Sequence, residues 1–219
     1  MSGFALRVTR DQLGAGQSYA RPLFPTNRVL YVLHGEMTGR AAGRDANVPQ
    51  NGAWHATAEC SVTAGPAGAT LLRYELVGAG APAAAVADSR MLLEHPIALD
   101  LGQPYLMRCD RVDFDLGAEA LPHRHKGGGI RCLVSGTMEL RVEGERDRLV
   151  KPGEAWFESG REPVYAKASA QEPTSFIRCS ILPREIRGQS SIMYVDPKDA
   201  GSKPRKYTVF VDEPIELPR

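Results

Sequence analysis

The chain has 219 residues, of which 42% are hydrophobic and 24% are charged, and its formal net charge at pH 7 is +1. This balance is ordinary for a globular protein, and a charge so close to zero offers no field for nucleic acid or an anionic membrane surface. No apolar run approaches the roughly 18 residues that a membrane span needs. From the charge and the apolar runs together, we expect no nucleic acid and no membrane among the partners.

The beginning of the chain and its cysteines indicate a compartment. Residues 1–10 lack the apolar core of a secretory signal, and none of the four cysteines stands in a Cys-x-x-Cys pair. We therefore expect reduced thiols and a cytoplasmic protein. The 22 glycines and 16 prolines are spread along the chain, beside short alternating apolar segments. This pattern is typical of many short strands in a sandwich or barrel.

The first part of the chain, residues 1–77, contains such short segments, which predict a β unit of this sandwich or barrel type. Residues 78–88 are rich in Gly, Ala and Pro, so we interpret residues 78–105 as a linker, in which the Ala run leaves room for a short helix.

Strand patterns are clearest in residues 106–182. Residues 138–143 alternate apolar and charged side chains, as a half-buried strand does. Further on, we expect Ile177 and Cys179 to face the core and Arg178 to face outward, and we expect the same outward position for Arg73. Since no segment keeps a 3.6-residue apolar period, the expected class is all-β.

The tail, residues 183–219, includes a strand pattern at residues 207–211. Such a strand has to add to a sheet edge, either in its own chain or across a dimer. We expect a homodimer.

A tandem duplication connects the two parts of the chain. Residues 32–37 resemble residues 133–138 at an offset of 101, and Trp54 and Trp156 pair at an offset of 102. Further matches keep the same order at offsets up to 105, and small loop insertions produce such a drift. The chain therefore contains two copies of one unit.

The most informative segment is residues 122–129, Pro-His-Arg-His-Lys-Gly-Gly-Gly. On a strand, His123 and His125 point to the same face and present two imidazoles to one point, as a metal site requires. The alternative is a surface pair on a solvated strand. The three glycines let the backbone turn tightly or approach a ligand closely.

On these residues the second copy resembles the cupin family. The family's first motif has a glycine, five residues, His-x-His and a closing glycine, which Gly117, His123, His125 and Gly136 match. The turn at residues 152–154, Pro-Gly-Glu, is similar to that of the second motif. Through the repeat, the resemblance extends to the first copy. It implies an all-β fold of two tandem jelly-roll (double-stranded β-helix) barrels at residues 1–77 and 106–182, with a C-terminal extension strand in residues 183–219.

Two departures from the family pattern affect the expected metal site. Gly129 stands where the family has a glutamate, and Val164 stands where it has the second-motif histidine. Glu158 is the best candidate for the missing ligand, the alternative being a surface carboxylate. His123, His125 and Glu158 would then form a facial set for a divalent transition metal such as Fe, Mn, Ni or Zn.

Arg131 is the candidate catalytic residue, since its fork suits a substrate carboxylate; the alternative is an outward strand arginine. The resemblance implies a metal-dependent enzyme acting on a small oxygenated organic molecule, by dioxygenase, decarboxylase, lyase or isomerase chemistry. A non-catalytic small-molecule-binding protein with a degenerate metal site is the alternative. In the first barrel we expect no metal. Tyr19, Arg21 and His55 are candidates for a polar pocket there, the alternative being a purely structural barrel.

Overall fold

The computed structural model describes residues 3–202 and 205–218. This part of the chain contains sixteen strands and two short 3₁₀ helices, Arg184–Ile186 and Pro197–Gly201, which confirms the all-β class. Neither of these helices is long and apolar enough to cross a membrane. The chain divides into two compact units. Unit 1 comprises the residues up to Gly102 and those from Ile215, and unit 2 comprises Gln103–Pro214.

Unit 1 is one antiparallel sheet. Its strands are β1 (Phe4–Leu13), β2 (Asn27–Ala41), β3 (Arg44–Val48), β4 (Ala53–Ala56), β5 (Cys60–Gly78) and β6 (Asp88–Ile97). Their order is β3-β2-β5-β1-β6, and β4 pairs with β2.

Two long strands give unit 1 its curvature. Strands β2 and β5 have 15 and 19 residues, and their pairing shifts register around Gly35. Gly35 and Gly68 both have positive φ, 74° and 79°, and a Cβ on Gly35 would collide with the carbonyl oxygen of Gly68. Only glycine tolerates both conditions, so the strands bend together here around a core that includes Leu30 and Leu71.

The structure revises the predicted linker. Within residues 78–105, strand β6 pairs with β1 in antiparallel register, and the Ala run forms no helix. The sequence pattern did not predict β6, because its apolar residues do not alternate with polar ones. Most of its side chains are at least partly exposed.

Unit 2 is a sandwich of two five-stranded sheets. Its strands are β7 (Tyr105–Phe114), β8 (Glu119–His125), β9 (Gly129–Ser135), β10 (Met138–Val142), β11 (Arg148–Val150), β12 (Ala155–Glu158), β13 (Val164–Ala168), β14 (Thr174–Pro183), β15 (Ile192–Tyr194) and β16 (Arg205–Ile215). One sheet has the order β11-β10-β13-β8-β15 and the other β12-β9-β14-β7-β16.

The two sheets of unit 2 share one apolar core. Leu133 and Trp156 come from one sheet, and Met138 and Val164 come from the other. This is the jelly-roll arrangement expected from the sequence. Trp54 occupies the second position of β4, as Trp156 does of β12, so the register of the repeat carries over to the strands.

The tail completes unit 2 within its own chain. Strand β15 pairs with the histidine strand β8, and β16, which contains the predicted strand at residues 207–211, lies beside β7 at the edge of the other sheet. The tail thus needs no second subunit to pair with, and the homodimer stays a prediction.

The outward placement of Arg73 and Arg178 is wrong. Their exposed fractions are 0% and 6%. Arg73 Nε lies 2.8 Å from Asp11 Oδ2, and Arg178 donates two hydrogen bonds, of 3.0 and 2.6 Å, to Asp110. Residues 71–77 of β5 and nearly all of β14 are buried on both faces, so alternation along one strand does not reveal that acids on adjoining strands hold these arginines inside.

Candidate functional site

The candidate site lies inside unit 2, where side chains from both sheets meet. His123 and His125 are the last inward residues of β8, with exposed fractions of 5% and 7%. Their ring centroids are 4.9 Å apart and their planes are nearly perpendicular. The i, i+2 spacing thus places both imidazoles on one buried face, and the alternative of a solvated surface pair does not hold.

Glu158 reaches the same cluster from the opposite sheet. Its Oε2 lies 3.3 Å from His125 Nε2, and its Oε1 accepts a hydrogen bond of 2.8 Å from Trp156 Nε1. In the ladder, Glu158 pairs with Gly129, and side chains of paired residues point to the same face. The carboxylate therefore projects beside the position where the family pattern has its glutamate.

Arg131 is also buried in this cluster, with an exposed fraction of 1%. Its Nη2 lies 2.8 Å from Glu158 Oε2, and its Nη1 donates a hydrogen bond of 2.6 Å to the carbonyl oxygen of Gly129. Arg131 is thus directed inward, and its charge is matched by the Glu158 carboxylate.

The histidines are held neutral. Burial lowers the pKa of His123 from 6.5 to about 4, and the pKa of His125 to about 3, because the charged imidazolium loses its hydration. Nδ1 of His123 lies 2.7 Å from the carbonyl oxygen of Leu121. A carbonyl oxygen can only accept, so Nδ1 carries the proton and Nε2 keeps its lone pair.

The Glu158 carboxylate, unlike the histidines, is held in its charged form. Burial alone would raise the pKa of Glu158, but the Arg131 guanidinium and the contact with His125 outweigh it, so the pKa lies well below its usual range. Burial in turn lowers the pKa of Arg131 to about 10, and the Glu158 charge opposes that shift. At neutral pH the cluster contains two neutral imidazoles, one carboxylate and one guanidinium.

The glycine run packs against protein. A Cβ on Gly127 would collide with the carbonyl oxygen of Ile181, and a Cβ on Gly129 would collide with Ser180. Both contacts are with β14, so these glycines let the start of β9 approach β14 closely. Val164, at the other departure from the family pattern, is buried and pairs with His123.

A small cavity of about 20 Å³ adjoins the cluster. Such a volume holds about one water molecule or one ion. Sequence reasoning missed three polar side chains that also line it, Arg178, Arg205 and Tyr207. Arg205 and Tyr207 have the same i, i+2 spacing as the histidines, and that spacing in a predicted strand was the available signal.

The donor set fits a divalent metal in kind and in charge state. Metals bind neutral imidazole and ionised carboxylate. Two ligand atoms at about 2.1 Å from an ion and at right angles are about 3 Å apart, close to the separation of His125 Nε2 and Glu158 Oε2. His125 Nδ1 is also buried without a hydrogen-bond partner.

The three expected ligands do not converge on one point in the structure. Among residues 3–202 and 205–218, no three His, Cys, Asp or Glu side chains stand close enough to hold a metal ion. Ligation by His123, His125 and Glu158 together therefore requires a side-chain rearrangement. Arg131 can keep its contact with Glu158 in that arrangement, because ligating carboxylates commonly accept a second hydrogen bond.

The corresponding interior of unit 1 is filled by ion pairs. Tyr19 donates a hydrogen bond of 2.6 Å to Asp11, and Glu75 contacts Arg7, Arg28 and Arg73 at 2.8–3.0 Å. Of the other two residues expected at a polar pocket there, Arg21 is exposed and His55 is half-buried.

Comparison with known proteins supports the fold. No family model matches the chain, and no curated protein matches it in sequence. A mutant of oxalate decarboxylase from Bacillus subtilis is 12% identical with a TM-score of 0.67, covering 92% of this chain and 78% of that one. AerE from Microcystis aeruginosa is 13% identical with a TM-score of 0.58, covering 82% and 87%. The chain thus shares the all-β jelly-roll fold of these structures, as expected from the sequence, and at these identities the likeness extends to the fold alone.

Proposed function

We propose that unit 2 is a metal-dependent cupin enzyme that acts on a small oxygenated organic molecule. The observation that carries the proposal is the buried contact of 3.3 Å between His125 Nε2 and Glu158 Oε2, beside a second neutral imidazole and a cavity large enough for an ion. The name of one structural neighbour, oxalate decarboxylase, supports an enzyme for a small oxygenated acid.

His123, His125 and Glu158 would hold the metal in this proposal. A divalent transition metal supplies a Lewis acid that polarises a substrate oxygen, or a centre that activates dioxygen. The protein contributes orientation and charge. Leu121 fixes the tautomer of His123 through its carbonyl oxygen, and Trp156 and Arg131 fix the carboxylate of Glu158. Arg131 is therefore a positioning residue, which differs from the substrate-binding role expected from the sequence.

Metal analysis tests the proposal. Protein produced without a His tag should contain close to one equivalent of Fe, Mn, Ni or Zn, and His123→Ala should lose it because one of three ligands is gone. His34→Ala, at an exposed histidine of unit 1, is the control and should keep it. Less than about 0.1 equivalent in the wild type, unchanged in His123→Ala, would overturn the proposal.

A second candidate function is non-catalytic binding of a small molecule at a degenerate metal site. The ion pair of Arg131 with Glu158 favours it, because the guanidinium already balances the one carboxylate of the cluster. A metal-free wild type that still binds a small ligand in unit 2 would support this function over the first.

A further inference from the structure

The arginines around the histidine cavity differ in whether an acid balances them. Arg131 contacts Glu158 at 2.8 Å, and Arg178 pairs with Asp110 at 2.6 Å. Each of these two cations is thus matched by one buried carboxylate. Neither has charge to spare for a ligand.

Arg205 is the third arginine of the lining, and it has no such partner. Its Nε donates a hydrogen bond of 2.5 Å to the Tyr207 hydroxyl, and its guanidinium lies 5.9 Å from the ring centroid of Phe114. Its Nη1 is buried without a hydrogen-bond partner, and no acid within residues 3–202 and 205–218 forms an ion pair with it. A buried guanidinium donor without an acceptor is costly unless a ligand supplies one.

A larger cavity of about 320 Å³ adjoins Tyr207. Tyr207 and Arg178 line both this cavity and the histidine cavity. The larger cavity has a mixed lining that includes Ser191, Ile192 and Val209, and its volume is in the range of small-molecule sites. The smaller cavity alone is too small for an organic molecule.

We propose that unit 2 binds a small organic acid, whose carboxylate lies against Arg205 in the histidine cavity and whose carbon skeleton extends past Tyr207 into the 320 Å³ cavity. The guanidinium of Arg205 matches a carboxylate in charge and in hydrogen-bond geometry, and Tyr207 holds its Nε side. The charge of the two linings agrees, because four arginines, Arg108, Arg131, Arg178 and Arg205, face three carboxylates, those of Asp110, Glu158 and Asp212. This inference rests on the proposed function, because it names the substrate class of the same site.

Binding of simple carboxylates tests this site. Acetate, oxalate and benzoate are titrated into the full chain by calorimetry, with benzamide as the uncharged counterpart of benzoate. At least one of the three acids should bind, and benzamide should bind more weakly than benzoate. Arg205→Gln should weaken binding about tenfold or more, whereas Arg205→Lys should retain part of it, because it keeps the charge but loses the fork. Lys206→Gln, which removes an exposed charge from the next residue of β16, is the matched control and should leave the affinity unchanged.

The outcomes separate this inference from the proposed function. Carboxylate binding that depends on Arg205 in a chain without metal upholds the acid site and overturns the metalloenzyme. A normal metal content with equal carboxylate binding in wild type and Arg205→Gln overturns the acid site alone, as does a wild type that binds none of the three acids. If Arg205→Gln does not fold, undiminished affinity in Arg205→Lys counts against the fork.

Discussion

His125 and Glu158 belong to different sheets of unit 2, yet the imidazole Nε2 of one lies 3.3 Å from the carboxylate Oε2 of the other. Both side chains are buried, and the surroundings keep the first neutral and the second ionised. Donors of this kind, in this charge state, can ligate a metal without first releasing a proton.

Replacing the carboxylate should weaken metal binding more than replacing a nearby surface acid. In Glu158→Gln the amide keeps the shape but loses the charge, so the affinity for Zn²⁺ or Co²⁺ should fall about tenfold or more. A competition titration with a chromogenic chelator measures it. Glu162→Gln, at an exposed acid four residues on, should bind as the wild type does. Equal affinity in Glu158→Gln would remove Glu158 from the ligand set.

Removing the partner of Glu158 should cost stability. In Arg131→Met the carboxylate stays buried without its guanidinium, and such losses cost about 3–5 kcal/mol. Urea unfolding, followed by Trp156 fluorescence in a Trp54→Phe background, reports the free energy of unfolding of unit 2. Arg141→Met removes a pair with Asp147 in which both side chains are more than half exposed, and it should cost less than about 1 kcal/mol. Similar losses in both variants would contradict the buried ion pair.

The free energy of unfolding should decrease as the pH is lowered, because the histidines bind protons more tightly in the unfolded chain. Their pKa values in the fold are about 4 and about 3, against 6.5 ordinarily, so the unfolded chain binds more protons below pH 6.5. The stabilisation is complete above that pH and is lost as pH falls toward 4. By pH 5 each histidine should cost on the order of 2 kcal/mol. The measurement is urea unfolding of metal-free protein at pH 7 and pH 5.

A variant isolates this effect from that of the other titrating groups. His125→Gln removes one buried imidazole, so about half of the histidine-dependent loss should disappear. His34→Gln, at an exposed histidine, should show the same loss as the wild type. An unchanged pH dependence in His125→Gln would mean that His125 is not held neutral in the fold.

Breaking the buried ion pairs of unit 1 should also lower the free energy of unfolding. Arg73→Met leaves Asp11 and Glu75 without their shared cation, and the expected loss is about 3–5 kcal/mol. Trp54 fluorescence in a Trp156→Phe background follows unit 1. The control is Arg40→Met, whose pair with Asp45 is exposed, and its loss should stay below about 1 kcal/mol. A small loss in Arg73→Met would show that the interior of unit 1 admits water.

The glycine run should tolerate no side chain where it meets β14. In Gly129→Ala the new Cβ collides with Ser180 and with the carbonyl oxygen of Cys179, so the strands must separate, at a cost of about 1–3 kcal/mol. Gly201→Ala, in the same unit with open space around its Cα, should change the free energy of unfolding by less than about 0.5 kcal/mol. Equal stability of the two variants would contradict the close packing of β9 on β14.

Periodicity and repetition in the sequence determined the class, the duplication and the placement of the histidines. Alternation along a strand fixes which side chains share a face, so the spacing of His123 and His125 predicts one buried face. The same reasoning misplaced Arg178, because on a strand buried on both faces a charged residue can face inward when an acid on the adjoining strand pairs with it.

Only the tertiary structure decided what surrounds the two imidazoles. Arg131 and Glu158 are 27 positions apart in the chain and Arg205 is 47 beyond Glu158, so no local pattern connects them. Ladder pairing places Glu158 opposite Gly129, and the last strand of unit 2 brings in Arg205 and Tyr207. The sequence therefore predicted the two histidines on one face and named Glu158 and Arg131 as candidates beside them. The ion pair between those two side chains and the approach of Arg205 and Tyr207 depend on strand order, which brings together residues distant in the chain.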